Sequence, residues 1–175
     1  MIRTIIGFAF AVIYLIGTIP VLLIENIRQK KDQKASDLRC LHLVQGAFRI
    51  ILRICGVKQH VIGIENIPED KAVLFAGNHR SWFDIIITYS HMITRTGYVA
   101  KDSIEKVPLL RTWMRRLYCL FMSRDDMKAA LKCVLTGVGN LKSGISVFIF
   151  PEGTRNKDEE TTLLEFKEGA FKMAE

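Results

Sequence analysis

Two short polar clusters each follow an apolar run, and both carry side chains able to do chemistry. The first is Asn78-His79-Arg80-Ser81-Trp82-Phe83-Asp84, after the run Ala72–Ala76. A histidine beside an aspartate can act as an oriented base: the carboxylate fixes one ring nitrogen and the other takes a proton. Five residues apart on one regular helix, the two side chains would point about 140° apart. The pairing therefore requires His79 to precede a helix and Asp84 to lie in its first turn. The same two residue types also serve as caps or core groups, so alone they leave the chemistry open.

The second cluster is Phe150-Pro151-Glu152-Gly153-Thr154-Arg155, after the run Ser146–Phe150. Proline and glycine there suit a tight turn. Glu152 and Arg155 at the end of a strand also suit a polar ligand, and a guanidinium matches a phosphate. Ser81, next to His79, is a possible nucleophile, but the Gly-x-Ser-x-Gly elbow is absent and a helix cap is the simpler role. His42, His60 and His91 are solitary and are assigned to structure or surface. Cys40, Cys55, Cys119 and Cys133 are scattered without the spacing of a zinc or redox site, which predicts free thiols. Trp82, Phe83 and Trp113 suit interfacial anchoring or core packing.

The elements that must position these clusters alternate. Strands are expected at Val61–Ile64, Ala72–Ala76, Gly97–Ala100, Tyr118–Met122 and Ser146–Phe150. Helices are expected over Ser81–Thr94, from Pro108, from a cap at Ser123 or Asp125 to about Leu141, and from Lys167. Leu131, Val134, Leu135, Val138 and Leu141 make the expected inner face of the third, which Gly137 and Gly139 weaken. This order predicts an α/β domain: a mainly parallel sheet flanked by helices, with sites gathered where strands end.

Before it lies a different kind of segment. Thr4–Ile24 carries no charge. As one helix it would be roughly 32 Å long, close to the hydrocarbon thickness of a bilayer. It is too apolar all round for a core helix and too long for a signal peptide. The expectation is an N-terminal membrane-associated helical segment, with Pro20 able to kink it. Arg3 precedes it, while Arg28, Lys30, Lys31, Lys34 and Arg39 follow, which puts the rest of the chain on the cytoplasmic side. Lys30–Asp37 reads as a linker. Residues 38–57 read as an amphipathic helix lying on the bilayer or packing on the domain, with Arg39, Arg49, Arg53 and Lys58 basic. The expected division is 1–58 for anchor and amphipathic helix, and 59–175 for the domain.

The chain has 175 residues, 49% of them apolar, and a net charge of 25 − 18 = +7. That composition excludes a disordered chain, and with the apolar segment it argues against a freely diffusing protein. The charge alone would suit a non-catalytic module binding membrane or nucleic acid.

Taken together, Asn78-His79, four residues, Asp84, and some seventy residues later Phe-Pro-Glu-Gly-Thr-Arg resemble the glycerolipid acyltransferase family, above all its lysophosphatidate (1-acyl-sn-glycerol-3-phosphate) acyltransferases. Lys101, Val107-Pro108, Ser123-Arg124 and Phe166-Lys167-Glu168-Gly169-Ala170 fit the same pattern over residues 60–175. Arg111 and Tyr118-Cys119 stand where the family often has glycines. The resemblance implies an enzyme that acylates the 2-hydroxyl of lysophosphatidate from acyl-CoA or acyl carrier protein. His79 and Asp84 would be catalytic, and Arg124, Glu152, Gly153, Thr154, Arg155 and Lys101 would bind substrate. It implies no metal, no further cofactor and no nucleic acid, with membrane lipids as partners. Arg111, Arg115 and Arg116 would meet anionic headgroups or form a solvated helix face. It also implies a domain continuing beyond Glu175. A sibling acyltransferase taking glycerol 3-phosphate or another lysophospholipid, and a lipid hydrolase using Ser81, are the competing readings.

Overall fold

The computed structural model describes residues 2–123, 125–157 and 162–174. It divides into two compact units: Met1–Ile67 with Ile85–Ile93, and Pro68–Asp84 with Thr94–Glu175.

The first unit is helical. The apolar N-terminal run forms two helices rather than one, α1 (Ile2–Gly17) and α2 (Ile19–Arg28), bent by 48°. The break has a local cause. Pro20 sits in the first turn of α2, where a missing N–H costs nothing, and the Thr18 hydroxyl donates to Tyr14 O at 2.8 Å. Among the described residues no single helix is long and apolar enough to cross a membrane, although the bent pair is by length and composition. Ile2 is 75% exposed, Phe8 73% and Ile27 71%.

The expected linker is a short turn. Asp32 caps α3 (Gln33–Cys55) by accepting the Ala35 amide at 3.0 Å, and Ser36 and Asp37 are buried within that helix. Gly56, at φ 71°, closes the other end in the left-handed conformation that favours glycine. α1 runs antiparallel to α3. Tyr14 donates to Leu43 O, Gly7 faces Ile51 and Cys55, and Arg3 lies against Gly56. A buried carboxylate ties α2 to α3. Glu25, 2% exposed, accepts from Ser36 Oγ at 2.7 Å, Arg28 at 2.9 Å and Arg39 at 3.0 Å. Those partners hold its pKa down at about 2, with Arg39 the largest cause. Residues 85–93 join this unit through Gln45, whose amide donates to Tyr89 O and Met92 O.

The second unit contains a four-stranded, all-parallel sheet in the order β1-β4-β2-β3: β1 Leu74–Ala76, β2 Thr96–Lys101, β3 Leu120–Met122 and β4 Ser146–Ile149. β4 is central and buried at all four positions, as a continuous apolar run in a parallel sheet requires. Helices α4 (Trp82–Tyr89), α5 (Pro108–Arg116) and α6 (Met127–Lys142) follow β1, β2 and β3. The core joins Leu120, Cys133, Val147, Ile149 and Met173.

Several expectations give way. Val61–Ile64 is not a strand. Gly63 has φ 79°, Ile62 is 83% exposed, and a 3-10 turn begins at Ile64. The cap of α6 is Asp126, which accepts from the Lys128 and Ala129 amides. The inner face of α6 is only partly the expected one: Val134 and Leu141 pack against the core, but two leucines do not. Cys133 and Gly137 are buried and Leu131 and Leu135 are exposed, because Met173 fills the space where Gly137 has no Cβ. The final helix is a 3-10 helix, Glu168–Met173.

Candidate active site

Both polar clusters sit at the C-terminal ends of adjacent strands, β1 and β4. The strand pairing Ala76↔Ile149 continues as Gly77 N–H to Ile149 O, so the two loops leave the sheet together.

His79 precedes α4 and Asp84 lies in its first turn, as the pairing requires. His79 Nδ1 stands 3.0 Å from Asp84 Oδ2. The same oxygen accepts the Arg80 and Ser81 amides at 2.6 and 2.7 Å. The carboxylate therefore works as the far half of a capping box, while the Ser81 hydroxyl accepts the Phe83 amide at 3.1 Å. Ser81 is thus a helix cap. A carboxylate can only accept, so Nδ1 carries the proton and the neutral ring presents its lone pair on Nε2. The imidazole stacks on Phe150, with centroids 4.2 Å apart.

The second cluster clamps the histidine backbone. The His79 amide donates to Glu152 Oε1 at 2.8 Å, and its carbonyl accepts the Asn156 amide at 2.6 Å. Glu152 is 3% exposed, and among the described residues its Oε2 has no hydrogen-bond partner. Gly153 takes φ 67°, and its amide closes the turn on Phe150 O. A side chain there would meet Lys167, whose Nζ lies 3.3 Å from the position of a Cβ. The Arg155 guanidinium lies 4.4 Å over the Trp82 ring. That brings a cation to the first turn of α4, and among the described residues it has no carboxylate partner.

Of the remaining expected residues, Thr154 is exposed on the same loop. Lys101 ends β2; because Tyr98 pairs with Phe148, it lies level with Pro151 along the sheet. Arg124 lies outside the described residues. Sequence reasoning names Phe150 only as the start of the second cluster, with no role, and does not find Asn156 and Lys167 as parts of the site. Only the Phe166–Ala170 pattern points toward Lys167.

The strand-end His–Asp pair and the cation beside it lie at the C-terminal edge of a parallel α/β sheet, where such folds place their sites. A protein-family model described as "Acyltransferase" matches residues 58–175, and the chain belongs to that family. The chain is 30% identical over 132 residues to a 1-acyl-sn-glycerol-3-phosphate acyltransferase of Borreliella burgdorferi, covering 75% of this chain and 52% of that one. It is also 30% identical over 129 residues to one of Saccharomyces cerevisiae, covering 73% of this chain and 42% of that one. The chain thus spans about half the length of these relatives. The crystal structure of the 1-acyl-sn-glycerophosphate (LPA) acyltransferase PlsC from Thermotoga maritima shares the fold, with a TM-score of 0.82 and 22% identity. That match covers 99% of this chain and 68% of that one.

Proposed function

We propose that this chain carries the acyl-transfer site of a lysophosphatidate acyltransferase, forming phosphatidate from an acyl thioester. The observation that carries the reading is the 3.0 Å contact of His79 Nδ1 with Asp84, which leaves Nε2 as the proton acceptor. In the proposed step, Nε2 takes the proton of the acceptor's 2-hydroxyl as its oxygen attacks the thioester carbonyl carbon. The carbonyl electron pair moves to oxygen. Collapse of the tetrahedral intermediate breaks the C–S bond, and the imidazolium returns the proton to the leaving thiolate. Asp84 stabilises the imidazolium and keeps the tautomer. Such base assistance supplies roughly 10²–10⁴-fold in rate.

Arg155, with Lys101 and Arg124, is assigned to the acceptor's phosphate, and Glu152, Gly153 and Thr154 to the pocket wall. The thiol carrier is acyl-CoA or acyl carrier protein. The bent helices α1 and α2, too short singly to span and apolar on their exposed surfaces, support attachment to a membrane surface, where an amphipathic acceptor resides; the cytoplasmic side is proposed from the basic residues that follow them. The test is thiol release with acyl-CoA across an acceptor panel. Release that depends on a free phosphate monoester and disappears in His79→Ala supports the reading. Equal rates on acceptors lacking that monoester would reject lysophosphatidate, and full activity in His79→Ala would reject the mechanism.

A further inference from the structure

The helical unit contains a second concave site that the acyl-transfer reading does not use. A cavity of about 290 Å³ opens beside the last two turns of α3. Arg49 and Arg53, one turn apart on that helix, line it with His91 and Gln59, over an apolar floor that includes Leu52 and Val61. Among the described residues, no aspartate or glutamate lines it. Arg49 is anchored, donating to Ser90 O at 2.9 Å. His91 Nε2 donates to Gln59 Oε1 at 2.8 Å, which orients the ring. Arg53 is exposed and, among the described residues, has no ion-pair partner.

Two guanidiniums form a donor set for an oxyanion, since guanidiniums favour phosphoryl oxygens, and the oriented His91 ring stands beside them. Part of their charge offsets the negative end of the α3 dipole, but two full positive charges exceed that half charge. The surroundings indicate where such an anion comes from. Arg3 lies against Gly56 at this same end of α3, so the start of α1 is adjacent, and Ile2, Ile5 and Ile6 there are 75%, 65% and 50% exposed. Basic groups flanked by exposed apolar side chains are the pattern of a lipid-water interface.

We propose that this cavity binds the phosphodiester headgroup of an anionic glycerophospholipid, at a site separate from the His79 cluster. Arg49 and Arg53 hold the phosphoryl oxygens, and the apolar floor takes the first carbons of the lipid. The inference does not depend on the acyl-transfer reading, because none of these residues belongs to that site.

The experiment follows the His91 ring by NMR in the full chain in a zwitterionic detergent, with histidines isotope-labelled and the signal assigned from the His91→Gln spectrum. Two titrants are compared: monomeric dihexanoylphosphatidylglycerol and inorganic phosphate. The expected result is a saturable shift of the His91 signals with the lipid. Arg53→Gln should weaken apparent affinity at least about fivefold. Lys30→Gln, which removes the same charge elsewhere, should leave it within about twofold. Circular dichroism reports that both variants fold. Silent His91 signals would overturn the proposal. So would equal losses in the two variants, which would mean diffuse charge, and so would phosphate saturating at the same concentration as the lipid.

Discussion

The carboxyl group of Glu152 holds the backbone of His79, with Oε1 accepting its amide at 2.8 Å. On the other side of the same residue Asn156 donates to the carbonyl at 2.6 Å. The Pro-Glu-Gly-Thr-Arg loop therefore positions the imidazole by its main chain, while Asp84 positions it by its ring. Two loops from adjacent strands share one residue, and an error in either would misplace Nε2.

That clamp makes Glu152 a positioning residue with a separable signature. Glu152→Ala leaves the part-buried His79 amide without its acceptor and should cost about 1 kcal/mol of stability. It should lower kcat by ~100-fold through misplacement of the ring. Glu152→Gln retains an acceptor oxygen and should stay within about tenfold of the parent. Thermal unfolding and steady-state kinetics on the three proteins check this; Ala and Gln behaving alike would show that the accepted hydrogen bond is not what matters.

Asp84 combines two tasks, and the substitution Asp84→Asn separates them. The amide oxygen of the new side chain would keep an acceptor for the Arg80 and Ser81 amides, so the start of α4 should survive with a loss under about 1 kcal/mol. The same oxygen would still accept Nδ1–H, but a neutral amide can no longer stabilise an imidazolium by charge. Asp84→Asn should therefore lower kcat by roughly 10²–10⁴-fold while circular dichroism and melting temperature stay near the parent's. A large loss of stability with little loss of rate would reverse the assignment.

Arg155 rests on Trp82, which is 60% exposed and so forms a platform rather than a core group. Arg155→Ala should raise KM for lysophosphatidate by about 10- to 100-fold. Arg155→Lys should recover only part of this, because an ammonium lacks the bidentate fork. Trp82→Ala removes the platform and should cost a smaller factor of about 2–5, the scale of an exposed cation–π contact. Initial rates over a lysophosphatidate series measure all three. An unchanged KM in Arg155→Ala would remove the phosphate assignment.

How far a sequence reading reaches follows from what sets each element. Ser146–Ile149 is legible because a strand buried on both faces is a short continuous apolar run, and Leu74–Ala76, a half-buried edge strand, because its run is continuous and apolar too. Val61–Ile64 has the same composition but no neighbouring strand to pair with, and partners are not visible in composition. Part of the buried face of α6 escapes such a reading because leucine marks an inner face only by default. Gly137 is inside because Met173, 36 residues on, occupies the space above it, and that contact has no local trace. His79 and Asp84 are legible because a histidine just before a helix and an acid in its first turn meet by local geometry alone. Asn156 is not, because it reaches His79 through a backbone hydrogen bond spanning 77 residues. The break at Thr18 is half visible: Pro20 announces a bend, but the Thr18 hydroxyl bonding back to the Tyr14 carbonyl at the end of α1 is a local contact that composition does not show.

The Glu25 cluster gives the helical unit a defined response to acid. Its carboxyl is held down at about 2 against an ordinary value of 4.5, chiefly by the Arg39 hydrogen bonds. In the unfolded chain it protonates near the ordinary value, so in the interval between the two values the unfolded state binds the extra proton. The contribution of this group is therefore complete above about pH 4.5 and is lost as pH falls through about 2. Melting temperature should fall as pH is lowered from about 5 toward about 2. Glu25→Gln should be less stable than the parent near neutral pH, and that difference should shrink as pH falls through this interval. Thermal unfolding of both proteins at about pH 7, 5, 4 and 3 measures it. A gap that stays constant across the acid half of that series would show that Ser36 and the two arginines hold a neutral group as firmly as the carboxylate.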